Sequence, residues 1–482
     1  MMSHDNLGFT SSTGTLDDKK WSVTAKSNKN GYNSGPDKSK VYVLELEEKK
    51  KGVQEYDENY DPYSQRVVAH PTSTLETLVH LLKGSLGTGI LAMPKAFHHS
   101  GYGIGVVATI IIGLFCTYCI RILVDSEYEL CKRKKVPSLS YPATAEAALS
   151  EGPACLRWFS KSSVHMINIF LMVYQLGSCC VYTVFIATNL KLALKEYLPE
   201  IDVRLYMLAI LLPLILVNWI RNLKFLAPLS TIANCITFAS FGIILYYIFR
   251  EPLSFENREV IGKVENFPLY FGTVLFALEA IGVIMPLENE MKKPKMFVRP
   301  LGVLNIGMGI IVALYTAIGL FGYIRYGSDI QGSITFMLNE PIALAKCVQI
   351  LLAIAIFFTH PIQCYVAIDI VWNDYIAPNM EKNSHKLLWE YVVRTSLVLL
   401  TFLLAVAIPQ LDLFISLFGA LCLSGLGLAF PAIIQTCTFW NVSSPTEKTL
   451  MLAKNMSLVL FGLLGLIVGT YTSLRDIIKT FS

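Results

Sequence analysis

From Leu75 almost to the C-terminus, apolar stretches of about twenty residues recur, separated by short polar segments. Eleven can be counted, at about 75–97, 101–124, 163–189, 204–220, 225–249, 268–287, 299–323, 341–372, 387–407, 411–437 and 451–474. Each is long enough to cross roughly 30 Å of hydrocarbon as a helix. Lipid offers no partners to backbone N–H and C=O groups, so a fully apolar segment is expected to be helical. The pattern predicts an all-α membrane protein with eleven transmembrane helices. Residues 1–74 break it. They are rich in Ser, Asn, Gly, Lys, Asp and Glu without sustained apolar periodicity, and are expected to form a disordered tail. Within the tail, Glu45–Lys51 would form at most a transient helix.

Two spans depart from a plain membrane helix. The first contains His80, Lys83, Gly84, Ser85, Gly87, Thr88 and Gly89 ahead of Pro94. Three glycines in six residues weaken a helix there, and the proline removes a backbone donor. The sixth carries Glu279, Ala280 and Gly282 ahead of Pro286. Gly89-Ile-Leu-Ala-Met-Pro94 and Gly282-Val-Ile-Met-Pro286 echo each other, and they begin two halves of a five-plus-five arrangement. The halves are about 75–250 and 267–438, with an extra helix at about 451–474; the transporter domain as a whole covers 75–475. Carriers built from inverted repeats bind where corresponding helices unwind near the midplane. Freed N–H groups at a half-helix N-terminus suit a carboxylate, and freed carbonyls suit an ammonium group or cation. A zwitterion is the natural ligand. For Gly462, Gly465 and Gly469 in the last span, simple helix packing is the better reading.

Composition agrees with the pattern. The chain is 53% hydrophobic and 16% charged, against roughly 25% charged in soluble domains. A net charge of +4 spread over short clusters gives no nucleic-acid face. Of eleven cysteines, Cys116, Cys119, Cys179, Cys180, Cys235 and Cys422 lie inside apolar runs and read as packing residues. No Cys/His spacing suggests a metal, and no nucleophile elbow or phosphate loop suggests an enzyme. The polar N-terminus is not a cleavable signal peptide, so the first span is expected to serve for insertion. Lys and Arg concentrate in the even-numbered connections, for example Lys132–Lys135 and Lys292, Lys293 and Lys295, which puts those and the tail in the cytosol.

Four blocks carry a resemblance: His80-Leu-Leu-Lys-Gly-Ser-Leu-Gly-Thr-Gly-Ile-Leu, Gln175-Leu-Gly-Ser-Cys-Cys-Val-Tyr182, Pro286-Leu-Glu-Asn-Glu-Met291 and Tyr326-Gly-Ser-Asp-Ile-Gln-Gly-Ser-Ile334. In order along Leu75–Tyr471, they resemble the proton-coupled amino-acid transporters of the amino acid/auxin permease group, in an insect or other invertebrate member. The resemblance implies a LeuT-like scaffold with helices 1 and 6 unwound. It also implies symport of small neutral amino acids at the plasma membrane or the lysosome. Some family members influence growth signalling through the mTORC1 kinase complex, and the resemblance makes growth-signalling proteins expected partners of the N-terminal tail. Ser85 stands where the family commonly has Asn, Ala280 where it has Gly, and His360 where it often has an aromatic residue, so the preferred amino acid is not carried over.

No cofactor is implied beyond the proton as coupling ion, and the expected partners are amino acids and membrane lipids. Ionisable groups in hydrocarbon mark function, which singles out His80, Glu279, His360 and Asp369; Asp369, near an interface, is better read as structural. His80, one turn before the glycine cluster, has an ordinary pKa suited to mildly acidic exchange and matches the histidine implicated in coupling in the family. Glu279 would hold a proton or pair with Lys83. Thr359 and His360 would border the pocket; an imidazole there disfavours a sodium ion. Alternative readings are an amino-acid sensor with little net flux, and a sodium-coupled or facilitative carrier.

Overall fold

The computed structural model describes residues 60–66, 68, 71–198, 201–221, 227–278, 281–338, 343–380 and 384–481. Among them the fold is helical, with one isolated bridge between Thr72 and Met291. Eight helices are long and apolar enough to cross a membrane. Three further expected spans, 75–97, 204–220 and 268–287, fall on shorter helices.

The first of these is a pair, α1 (Thr74–Ser85) and α2 (Thr88–Ser100). Ser73 caps α1 through a capping box with Glu76, which satisfies donors that a helix start otherwise orphans. Gly101, at φ +77°, turns the chain into α3 (Tyr102–Lys134). There follow α4 (Tyr141–Glu151), α5 (Ser160–Leu194), α6 (Val203–Asn218) and α7 (Ala227–Phe249). The sixth expected span is α8 (Phe267–Leu278) and then α9 (Ile281–Asn289). The remainder are α10 (Val303–Tyr326), α11 (Ala343–Asp369), α12 (Lys386–Ala407), α13 (Leu411–Phe439) and α14 (Pro445–Phe481).

Packing sorts these helices into two groups. In one, α2 lies against α8 and α10, and α10 lies against α3; in the other, α5 lies against α11, α6 and α12, with α12 on α6. In terms of the expected spans, the first packs on the sixth, the second on the seventh, the third on the eighth and the fourth on the ninth. Helix α13 touches both groups, through α8 and α5.

Side-chain chemistry explains which helices sit inside. Helix α2 is apolar nearly all round, and Ile90 through Pro94, Ala96 and Phe97 are all buried. Helices α12 and α14 instead expose Leu388, Leu403, Leu460, Leu464 and Ile467 on one face. Contiguous exposed apolar surface of that kind suits lipid.

Candidate functional site

The first span is interrupted at Leu86 and Gly87. Helix α1 ends at Ser85, and α2 begins at Thr88 with Gly87 as its cap and no side-chain cap bond. The Leu86 and Gly87 amides still bond back to Leu82 and Ser85 carbonyls, at 3.0 and 2.9 Å. The Ser85 carbonyl also accepts a hydrogen bond from the hydroxyl of Tyr315, fully buried on α10. Thr88 Oγ1 is buried with no hydrogen-bond partner. An orphaned hydroxyl at the start of a half-helix costs free energy unless something occupies the space beside it.

Two glycines on either side of the interruption play different parts. A Cβ on Gly89 would come within 2.6 Å of the Ala277 backbone, so this glycine lets α2 lie directly on α8. A Cβ on Gly87 would meet only the Tyr182 hydroxyl, at 3.9 Å. Gly87 thus faces a side chain, and room is left beside it.

Past the end of α8, Gly282 in α9 presents the same arrangement. A Cβ there would meet only Gln175 Nε2, at 3.8 Å. Gln175 and Tyr182 are both on α5, seven residues and two turns apart, hence on one face and about 10 Å apart along the axis. Both are buried, and Gln175 Oε1 has no hydrogen-bond partner. One stripe of α5 therefore addresses Gly87 of the first span and Gly282 of the sixth. Tyr174 and Phe276 meet edge to face nearby, at a 5.8 Å centroid distance, and close the apolar side. The arrangement offers helix-end polar groups, an amide and a phenol along about 10 Å of one helix face.

The sequence profile of the family described as transmembrane amino acid transporter protein matches residues 70–475. The chain belongs to that family. It is similar to the proton-coupled amino acid transporter-like protein pathetic of Drosophila melanogaster, with 39% identity over 88% of this chain and 89% of the relative. It is also similar to the probable amino acid transporter skat-1 of Caenorhabditis elegans, at 26% identity over 86% and 92%. Among solved structures, inward-facing Mhp1 aligns with a TM-score of 0.55 and 13% identity, covering 87% of this chain and 92% of that one. That likeness places the transporter in the LeuT-like fold. The chain is a multi-pass amino-acid transporter and not an enzyme.

Within this transporter the expected residues are distributed unevenly. Ser85, Gly87, Thr88 and Gly89 gather at the interruption, while Gly84 is exposed one turn back on α1. His80 is half-buried on α1, within reach of the Lys83 and Glu76 charges. Glu279 and Ala280 lie outside the described residues, and with them the expected pairing of Glu279 to Lys83. Thr359 donates to its own helix at Ala355, at 2.9 Å. His360 is fully buried, and its ring meets Asn218 of α6 at 3.2 Å, while its carbonyl lies 4.0 Å from the thiol of Cys179 on α5. The His360 ring thus ties α11 to α6.

Tyr182, Gln175 and Tyr315 were not singled out as site residues from sequence. Gln175 and Tyr182 end one of the blocks that carry the family resemblance. A glutamine within an apolar span was the available signal; a tyrosine there reads as core.

Proposed function

We propose that this transporter is a proton-coupled symporter of small neutral amino acids in the plasma or lysosomal membrane, with a cytosolic N-terminus. It has eleven spans in a five-plus-five inverted repeat, with the first and sixth unwound at the binding site. The observation that carries the reading is the stripe of α5, where Tyr182 and Gln175 stand opposite Gly87 and Gly282. The packing of each of the first four spans on the span five places later supports the repeat, and the name of the Drosophila relative supports proton coupling. The substrate carboxylate sits at the start of α2, beside Thr88, where helix-end amides favour negative charge. His80, one helical turn before Gly84, exchanges the coupled proton. Glu279 is the second proton-carrying candidate, and Thr359 and His360 adjoin the pocket.

Purified protein in liposomes tests this directly. An inward proton gradient should concentrate small neutral amino acids with no sodium present. Uptake that follows sodium, or ignores both gradients, overturns the coupling. His80→Ala should insert and fold normally yet lose proton dependence. Near-normal proton-driven uptake in that variant removes His80 from the mechanism.

A further inference from the structure

Ahead of the first span, residues 60–66 lie across the ends of two helices. Pro62–Gln65 forms one helical turn capped by Asp61, and Pro62 is buried. Arg66, with its side chain 5% exposed, reaches between α3 and α9. Its Nη1 pairs with Glu288 of α9 at 2.8 Å, its Nη2 with Glu127 of α3 at 3.5 Å, and its Nε donates to the Pro137 carbonyl at 2.9 Å. The two carboxylates are 2% and 1% exposed. The Tyr63 ring lies 4.6 Å from the guanidinium. Just beyond, Thr72 exchanges backbone hydrogen bonds with Glu290 and Lys292, at 2.8 and 2.9 Å. The lead into the first span is thereby tied to the end of the sixth and the end of the second.

The charges in this cluster do not balance. One guanidinium faces two buried carboxylates, and the further neighbour of Glu288 on the strap is the uncharged phenol of Tyr63. Among the described residues, the surrounding groups add no cation. Helix α3 contributes Cys131, whose thiol donates to Glu127 Oε1 at 3.1 Å, and the strap contributes Tyr60 and Tyr63. Lys295, from the segment after α9, is engaged by Asp61 at 2.8 Å, and Asp61 in turn accepts from Tyr128 at 3.4 Å. A buried, uncompensated negative charge costs several kcal/mol, and a carboxylate so placed takes up a proton instead.

We propose that Arg66, Glu127 and Glu288 form a proton-holding latch that closes the cytosolic end of the transport path; its sidedness rests on the orientation proposed above. Closed, the latch holds one carboxylate as the neutral acid, its proton taken from water on that face. When the proton returns to solvent, one guanidinium faces two anions, and the weaker 3.5 Å pair with Glu127 separates. The strap then releases α3 from α9.

Cys131 is a built-in reporter, because it is buried and bonded to Glu127 beneath the strap. Full-length protein in detergent is treated with a membrane-impermeant maleimide, and labelling at Cys131 is read by peptide mass spectrometry relative to the exposed Cys155. In the wild type the ratio should rise roughly tenfold between about pH 5 and pH 8, as the shared proton leaves. Arg66→Gln should label fast at both ends of that range. Glu288→Gln, which leaves one cation with one anion, should stay slow throughout. A flat wild-type profile, a wild-type rise retained in Glu288→Gln, or slow labelling in a folded Arg66→Gln each overturns the latch. If Arg66→Gln does not fold, the wild-type and Glu288→Gln profiles decide. The assay needs neither substrate nor gradient, so a failed symport assay leaves it standing. If Cys131 in intact cells labels from the outside, the orientation is wrong and the latch is not.

Discussion

At the scale of single residues, glycines that look alike in the sequence have opposite tolerances. Gly87 has φ −123° and ψ −153°, an extended backbone that any residue adopts. An added side chain there points towards Tyr182 across a gap. Gly89 has the Ala277 backbone against it, and backbone cannot give way as a flexible side chain can. Gly89→Ala should therefore force α2 off α8 and destabilise the protein by roughly 1–3 kcal/mol, the usual cost of overpacking. Gly87→Val should melt like the wild type and lose substrate binding. Thermal melting with and without substrate separates the two; equal melting losses would mean that Gly87 is a packing residue as well. The sequence shows three glycines and a weakened helix. Which one faces substrate depends on what stands opposite, and that is tertiary information. Tyr315 makes the same point. Its hydroxyl caps the Ser85 carbonyl from a helix more than two hundred residues away, and no local pattern announces it.

At the scale of elements, periodicity and hydropathy locate the spans, because the bilayer fixes length and composition together. The first span's interruption is also legible, since glycine and proline act locally. The face of α5 is less so. It is a 35-residue helix, buried through most of its length, whose polar residues do not gather on one side, so no amphipathic stripe points to its functional face. Only the polar Gln175 and Tyr182, two turns apart, betray that face once the glycines opposite are placed. Tyr182→Phe and Gln175→Leu each remove one polar group from the stripe. Each should raise the KM for substrate by roughly tenfold, the worth of about one hydrogen bond, with little change in melting. Cys180→Ala is the control on the same helix. Its thiol lies against the Thr401 carbonyl of α12, on another face, and its KM should stay near wild type. A KM change in Cys180→Ala as large as in the other two would mean the effect runs through packing of α5. His360 carries a structural partner that composition does not announce, while its Nε2 is left without a hydrogen-bond partner. As a histidine in hydrocarbon it marks function, yet its ring is bonded to Asn218 between α11 and α6.

At the scale of the whole molecule, the boundary between tail and transporter decides how a truncation behaves. Polar composition places that boundary at residue 74, because charged and small residues carry no hydrophobic signal. The strap within that stretch is held by charge, through Arg66 on Glu288 and Glu127 and Lys295 on Asp61, with Pro62 the buried anchor. A pattern of apolar positions cannot register an ion pair whose partners lie 61 and 222 positions further along the chain. Two truncations should therefore part company. Replacing residues 1–59 with a single methionine keeps every contact of the strap described above. In liposomes that protein should transport amino acids at close to the full-length rate, and any cellular signalling that runs through the tail should be lost. Replacing residues 1–70 removes Arg66 and leaves Glu127 and Glu288 buried together without their cation, a loss that typically costs about 3–5 kcal/mol. This protein should melt at lower temperature, and Glu127→Gln combined with Glu288→Gln should recover part of the loss by removing the unpaired charges. Identical melting and flux for the two truncations would show that the strap contributes nothing to the transporter, and the tail would then begin where its composition puts it.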